Sequence, residues 1–303
     1  MKLISISGSG RSGSTFLAVL LTQNDDVFNL GQTRDFWRAY SDNAVCSCGE
    51  TLTSCLFWSR VTRIAFGGSP RPVLFDTQQL MAAFQADAKA IADWTDGDAL
   101  ARLANTHESY LDRLGAFLSA AKEVAQVDSF LDMSKSPEIA LAFSLVKGID
   151  LRVINLVRDP RAVACSWEKK KGLQAAIWYT RDWAWRQRIL ARWSLALGER
   201  FVQVRYEDIT LAPRLMIKQL LDRVGLRPSP DLFTSDHGAE VSWDRQHLFP
   251  PANETVLAEK RTGMNVVLAR EWRKPENHPI LRMVETNIGE LMTQFGYQRL
   301  FGR

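Results

Sequence analysis

Lys2-Leu3-Ile4-Ser5-Ile6-Ser7-Gly8-Ser9-Gly10-Arg11-Ser12-Gly13-Ser14-Thr15, running on into the apolar stretch Thr15 to Leu21, decides the fold. Leu3, Ile4 and Ile6 mark a strand, the glycines and serines break it, and the following run has helical length. A glycine-rich turn between a strand and a helix offers several backbone N–H groups, and the positive end of the helix dipole, to phosphate oxygens. The spacing matches the nucleotide loop G-x-x-x-x-G-K-[ST], with Gly8, Gly13 and Thr15 in place, but Ser14 stands where the lysine belongs. Without that lysine, and with no obvious acidic strand end to complete a magnesium site, ATP chemistry loses parts it normally needs. Arg11 supplies a cation from inside the loop.

Outward from this unit, short runs rich in β-branched and apolar residues at Val27 to Leu30, Phe130 to Met133, Leu151 to Val157 and Phe201 to Val204 read as buried parallel strands. Helical patterns occupy Asp76 to Trp94, Ala99 to Ala125, Pro160 to Lys170, Ala175 to Leu197, Pro213 to Val224 and Ile280 to Phe295. Alternating strands and helices predict a single α/β domain over residues 1–303, a P-loop-like parallel sheet flanked by helices. Residues 41–127 carry almost no strand signal and read as a helical cap or insertion. Residues 228–274 are weak in periodicity and read as a loop covering a ligand.

Composition narrows the function. The net charge of +4, with both signs interspersed, suits a small anionic ligand and excludes a nucleic-acid coat. No window has the roughly 18 to 20 apolar residues of a membrane span, and the chain enters a strand pattern at once in place of a signal peptide, so a cytoplasmic protein is expected, as monomer or homodimer. Four cysteines, three of them at Cys46, Cys48 and Cys55, do not make a secreted disulfide framework. No metal is expected there: the cluster lacks the paired spacing and an obvious fourth ligand of structural zinc sites.

A second phosphate element follows the strand ending at Val157. Asp159 and Pro160 fit the N-cap and first position of a helix, which fixes Arg158 at the sheet edge. Ser166 lies seven residues past the cap, nearly two whole turns at about 100° per residue, so its hydroxyl shares the face of the cap and can join Arg158 on one phosphate.

With these two elements the sequence resembles the sulfotransferases that use 3′-phosphoadenosine 5′-phosphosulfate (PAPS), above all bacterial and carbohydrate-type members. Arg11-Ser12-Gly13-Ser14-Thr15 is similar to their 5′-phosphosulfate loop, and Arg158 through Trp167 to their 3′-phosphate element. The likeness extends to Asp132-Met133-Ser134-Lys135-Ser136-Pro137, to Arg205-Tyr206-Glu207-Asp208, read here as structural, and to the Cys46-Ser47-Cys48-Gly49 loop with Cys55, Phe57 and Trp58. It implies cofactor binding by Gly10, Arg11, Ser12, Gly13, Ser14, Thr15, Arg158 and Ser166, and by the turn Arg261-Thr262-Gly263. Lys135 would steady the phosphosulfate. It further implies transfer of the sulfuryl group from PAPS to a hydroxyl or amine of a small metabolite or glycan, leaving 3′,5′-adenosine diphosphate (PAP), with no metal required. The Cys-rich loop would be a packing or disulfide element near the acceptor side.

One departure stands out. Relatives often carry a glutamate base after the second strand, and this chain has Gln32, whose amide cannot accept a proton at neutral pH. Another base, an acceptor that needs none, or an engineered substitution each accounts for it. Asp35, His107, His237, His247 and His278 are the replacements on offer. A small-molecule or nucleoside kinase, and a PAPS-binding protein with impaired catalysis, are the rival readings. Trp178, Trp183, Trp185 and Trp193 share one helical stretch and read as core or interface packing in preference to a binding cage.

Overall fold

A computed structural model describes residues 1–68, 70–227, 232–252 and 263–301. Its main sheet contains β1 (Lys2–Gly8), β2 (Val27–Gly31), β3 (Ser129–Lys135), β4 (Asp150–Val157) and β5 (Phe201–Arg205) in the order β2-β3-β1-β4-β5. Every pairing is parallel. All five strands fall where the hydrophobic runs put them. A separate antiparallel pair joins β6 (Gly238–Glu240) to β7 (Gly263–Asn265).

Helices among the described residues are α1 (Ser14–Leu21), α2 (Thr33–Ser41), α3 (Leu56–Phe66), α4 (Pro70–Ala90), α5 (Gly97–Thr106), α6 (Glu108–Ala125), α7 (Pro137–Leu145), α8 (Pro160–Lys171), α9 (Leu173–Leu197), α10 (Tyr206–Leu211), α11 (Pro213–Arg223) and α12 (His278–Gln294). The single helix expected over 99–125 is two, because His107 leaves helical geometry at φ −113°, ψ 26° and bonds Asp87 through Nε2 at 2.8 Å.

Strand alternation divides the core into two faces. Ile4, Ile6, Leu131, Met133, Ile154, Leu156, Val202 and Val204 point to α1 and α11. Leu3, Phe28, Leu30, Phe130, Leu151 and Val153 point to the opposite face, under the aromatic cluster of Phe36, Trp37, Trp58 and Phe117. On this second face the positions nearer the C-terminal strand ends turn polar: Ser5, Ser7, Asp132, Ser134 and Asn155 are all buried. A sheet covered on both sides normally reads as continuous hydrophobic strands, so these residues carry polarity inward toward the strand ends where open α/β sheets bind ligands.

Residues 41–127 hold α3 to α6, which pack on that aromatic face. None of its described residues lines the large cavity beneath the strand ends.

Candidate active site

The loop after β1 is shaped by three left-handed residues, Gly8 (φ 129°), Arg11 (φ 67°) and Gly13 (φ 85°). Two of them must be glycine. A Cβ on Gly8 would sit 2.4 Å from the Leu156 carbonyl oxygen, and one on Gly13 would sit 2.7 Å from the Tyr206 ring. Gly13 caps α1, so the loop amides and the helix N-terminus open on one concave surface. Ser9 and Ser12 have buried hydroxyls with no protein partner. Such orphans suit an oxyanion ligand.

Arg158 leaves β4 as the sequence predicts, and Asp159 caps α8 by accepting from the Arg161 N–H at 2.9 Å. Its guanidinium lies over the Tyr206 ring, 4.5 Å from the centroid, and donates from Nη1 to the Arg11 carbonyl at 2.6 Å. Arg11 Nε in turn donates to Ser166 Oγ at 3.0 Å. The loop after β1 and the segment after β4, joined by residues 147 apart in the chain, therefore meet.

Across the cavity, Lys135 ends β3 with φ 61° and donates from Nζ to Gln32 Oε1 at 2.6 Å and to the Met133 carbonyl at 3.0 Å. Burial, reinforced by the Arg34 and Arg186 charges, draws its ammonium down to about 7. Gln32 is held just ahead of α2, whose first amides are anchored on β3: Thr33 N–H donates to Asp132 and Arg34 N–H to Ser134 Oγ. Asp132 also accepts from the Ser134 hydroxyl at 2.6 Å, and burial raises its carboxyl. These bonds occupy Asp132 in positioning α2.

The cavity encloses about 740 Å³, within the range of small-molecule sites. Gly10, Arg11, Gly13, Ser14, Thr15, Gln32, Lys135, Arg158 and Gly263 line it; Ser12 and Ser166 adjoin it next to the lining residue Arg11, and Arg261 and Thr262 lie outside the described residues. Trp243, Pro251, Ala252, Met264 and Asn265 close one side, all from the segment expected to cover a ligand.

None of the proposed replacement bases lines the cavity. Asp35 pairs with Arg34 at 3.5 Å, His107 with Asp87, and His237 and His278 lie elsewhere. His247 faces Cys46 and Cys55, with Nδ1 at 3.8 Å and 3.3 Å from their sulfurs. This corrects the sequence reading, which found no fourth ligand for the cysteines: the missing group lies 192 residues beyond Cys55.

One face of α9 supplies what sequence reasoning missed. Trp178, Tyr179, Asp182 and Arg186 line the cavity at helical spacing. Arg186 is buried, donates to Asp182 at 2.6 Å, and also donates to the carbonyls of Gly8 and Lys135, tying β1 to β3. Asp182 is the carboxylate among the described lining residues, and Arg186 occupies it. The four tryptophans divide: Trp183 and Trp193 are in the core, Trp185 packs partly buried against it, and Trp178 stands at the cavity, 54% exposed. An i,i+4 acid–base pair inside an aromatic helix was the available signal. Trp167 stacks on Tyr179 with centroids 3.7 Å apart, its indole N–H buried without a partner beside Gly10.

A five-stranded parallel sheet with a glycine-rich loop after its central strand, met by an arginine from the adjacent strand, is a P-loop-like fold. The family model described as the Sulfotransferase family matches residues 4–230, and the chain belongs to that family. Among solved structures, the chain is similar to the sulfotransferase domain of the Synechococcus PCC 7002 olefin synthase, at 17% identity and TM-score 0.52, covering 95% of this chain and 94% of that one. Sulfotransferase STF9 from Mycobacterium avium matches at 15% identity and TM-score 0.49, covering 99% and 78%. A retinol dehydratase in complex with androsterone and inactive cofactor PAP matches at 12% and 0.41, covering 95% and 80%. No curated protein sequence matched.

Proposed function

We propose that this sulfotransferase takes its sulfuryl group from PAPS and passes it to a hydroxyl or amine of a small metabolite or glycan. The observation that carries the reading is the chain of contacts from Arg158 through the Arg11 carbonyl and from Arg11 to Ser166, which puts two cationic elements at one end of the cavity. PAPS carries phosphate at both ends of its ribose, and two such elements suit it better than the single lysine-bearing loop of a triphosphate enzyme.

When bound, PAPS supplies the activated sulfuryl group. Loop amides with Arg11, Ser12, Ser14 and Thr15 hold the 5′-phosphosulfate end, and Arg158 with Ser166 the 3′-phosphate. Lys135, in its charged form, stabilises negative charge at the bridging oxygen. Gln32 orients Lys135 through the bond to Nζ. Trp243, Pro251, Ala252 and Met264 would screen the reacting groups from water on their side of the cavity.

The test is a thermal-shift series with PAP, ATP plus magnesium, and no ligand, followed by transfer of labelled sulfate from PAPS to an extract of the source organism. PAP should raise the melting temperature and ATP should not. Stabilisation by ATP alone would overturn the reading in favour of a kinase.

A further inference from the structure

The Cys46, Cys48, Cys55 and His247 group has no part in the chemistry above. Their ligand atoms all lie within 4.8 Å of one another. A tetrahedral zinc ion separates two thiolates by about 3.8 Å and a thiolate from an imidazole nitrogen by about 3.6 Å. The observed 3.8 Å and 3.3 Å from His247 Nδ1 to the Cys46 and Cys55 sulfurs bracket the second figure.

The surrounding structure is built to present these atoms. Cys46 to Glu50 forms a tight turn: Cys46 N–H donates to the Glu50 carbonyl at 2.7 Å and Gly49 N–H to the Cys46 carbonyl at 2.9 Å, and Val45 bridges Thr51 just outside it. Cys55 sits at the N-terminus of α3, where the helix dipole favours a thiolate. Backbone N–H groups of Cys48 and Trp58 point at the Cys46 and Cys55 sulfurs, the donors a metal thiolate needs. His247 is fixed independently, its ring stacked on Phe57 at 5.4 Å and its carbonyl accepting from Trp58 Nε1 at 2.7 Å. Ser47 holds both neighbours of His247, by Oγ to the Gln246 carbonyl and by its N–H to the Leu248 carbonyl, each at 2.7 Å. Three cysteine sulfurs with one imidazole make a ligand set of the Cys3His kind that structural zinc takes.

We propose that Cys46, Cys48, Cys55 and His247 bind one Zn2+ and that the ion staples the loop ahead of α3 to the segment 243–252, which walls the cavity. Four protein ligands leave no open position, so the site is structural and takes no substrate. Just past His247, Phe249 is buried against Gly31, immediately before Gln32. The staple thus fixes the base of the cavity wall next to the Lys135–Gln32 pair.

Elemental analysis of chain purified under reducing conditions should find about one zinc per chain. Cobalt substituted for zinc should give thiolate-to-cobalt charge transfer and the red bands of a tetrahedral ion. Cys48 is exposed, so Cys48→Ser should fold, lose zinc to a chelator faster than the parent, and weaken the charge-transfer band. Chelation of the parent should speed hydrogen exchange in 243–252. The proposal fails if zinc stays below about a tenth of an equivalent both as isolated and after reconstitution and desalting. It fails equally if intact mass shows two of these cysteines joined as a disulfide in the native protein, or if iron replaces zinc in the analysis. These readouts are independent of PAP binding.

Discussion

Lys135 Nζ donates to Gln32 Oε1 at 2.6 Å across the floor of the cavity, so a half-buried cation is paired with a neutral amide where a carboxylate would have held its proton. Burial first, and the Arg34 and Arg186 charges after it, leave the Lys135 ammonium at about 7. An anion bound beside it favours the charged form, so binding above pH 7 must take up a proton. PAP affinity should be greatest below pH 7 and fall by up to about tenfold per pH unit above it. Lys135→Arg, charged throughout this range, should flatten the profile. Calorimetric titrations from pH 6 to 9 check this, and equal slopes in parent and variant would remove Lys135 from the ligand site.

Gln32→Glu puts a carboxylate against the same ammonium. The ion pair should raise the Lys135 value and shift the break in PAP affinity to higher pH. By supplying an acidic base at this position, it should also raise the rate of sulfate transfer. A shifted affinity profile with an unchanged rate would show that Gln32 positions Lys135 and that the acceptor's proton leaves by another route.

Arg158 offers a test of the second phosphate element. Arg158→Ala removes a charged donor and should lower PAP affinity about 10- to 150-fold, matching the roughly 1.5 to 3 kcal/mol of a hydrogen bond to a charged group. Arg158→Lys should recover part of this, because an ammonium cannot lie flat on the Tyr206 ring as the guanidinium does. ATP affinity measured alongside separates loss of a phosphate contact from general damage to the loop.

Much of this was legible in the sequence, for physical reasons that also mark where legibility stops. The β1 loop is a local object: its glycines, strand and helix are contiguous, and Gly13 shows why the spacing matters, with φ at 85° and the Tyr206 ring where a side chain would go. All five strands were readable because each keeps a short apolar stretch bounded by polar or turn residues, even where Ser5, Asp132 and Asn155 interrupt the second face. Ser136-Pro137 is an N-cap followed by a first-turn proline, a helix signal present in the sequence though α7 was not expected from it. The Cys–His group was hidden because its fourth member lies 192 residues away, and Arg186 because charge inside a tryptophan-rich helix looks like surface.

Gly13→Ala should therefore be worse than an ordinary loop substitution. The left-handed backbone alone costs about 1 to 2 kcal/mol for a residue with a Cβ, and the methyl would press on Tyr206. The variant should melt at lower temperature and lose PAP stabilisation. Gly13→Ala with Tyr206→Ala should relieve the clash yet keep the backbone penalty, so only part of the melting temperature returns. Full recovery in the double variant would mean that the loop conformation is not strained.

Arg161 is the remaining test, and it concerns stability alone. It is buried, donates to Asp159 at 2.7 Å and to Glu285 at 2.5 Å, and reaches the Gln298 carbonyl, so it ties the cap of α8 to α12 and the strand-free C-terminal segment. Removing one partner of a buried ionic group leaves the others unpaired, so Arg161→Ala should cost about 3 to 5 kcal/mol in urea denaturation. Burial opposes ionisation of Glu285, but the Leu300 and Phe301 N–H groups, with Arg161, hold its carboxyl below the ordinary value of 4.5. A carboxyl depressed in the folded state adds stability that is fully present above its unfolded value and is lost as pH falls through the folded one. The parent should therefore lose stability from this network below about pH 4.5, while Arg161→Ala, which weakens the depression, should lose less over the same interval. Parallel acid-denaturation curves for the two proteins would show that the network contributes nothing to the pH dependence.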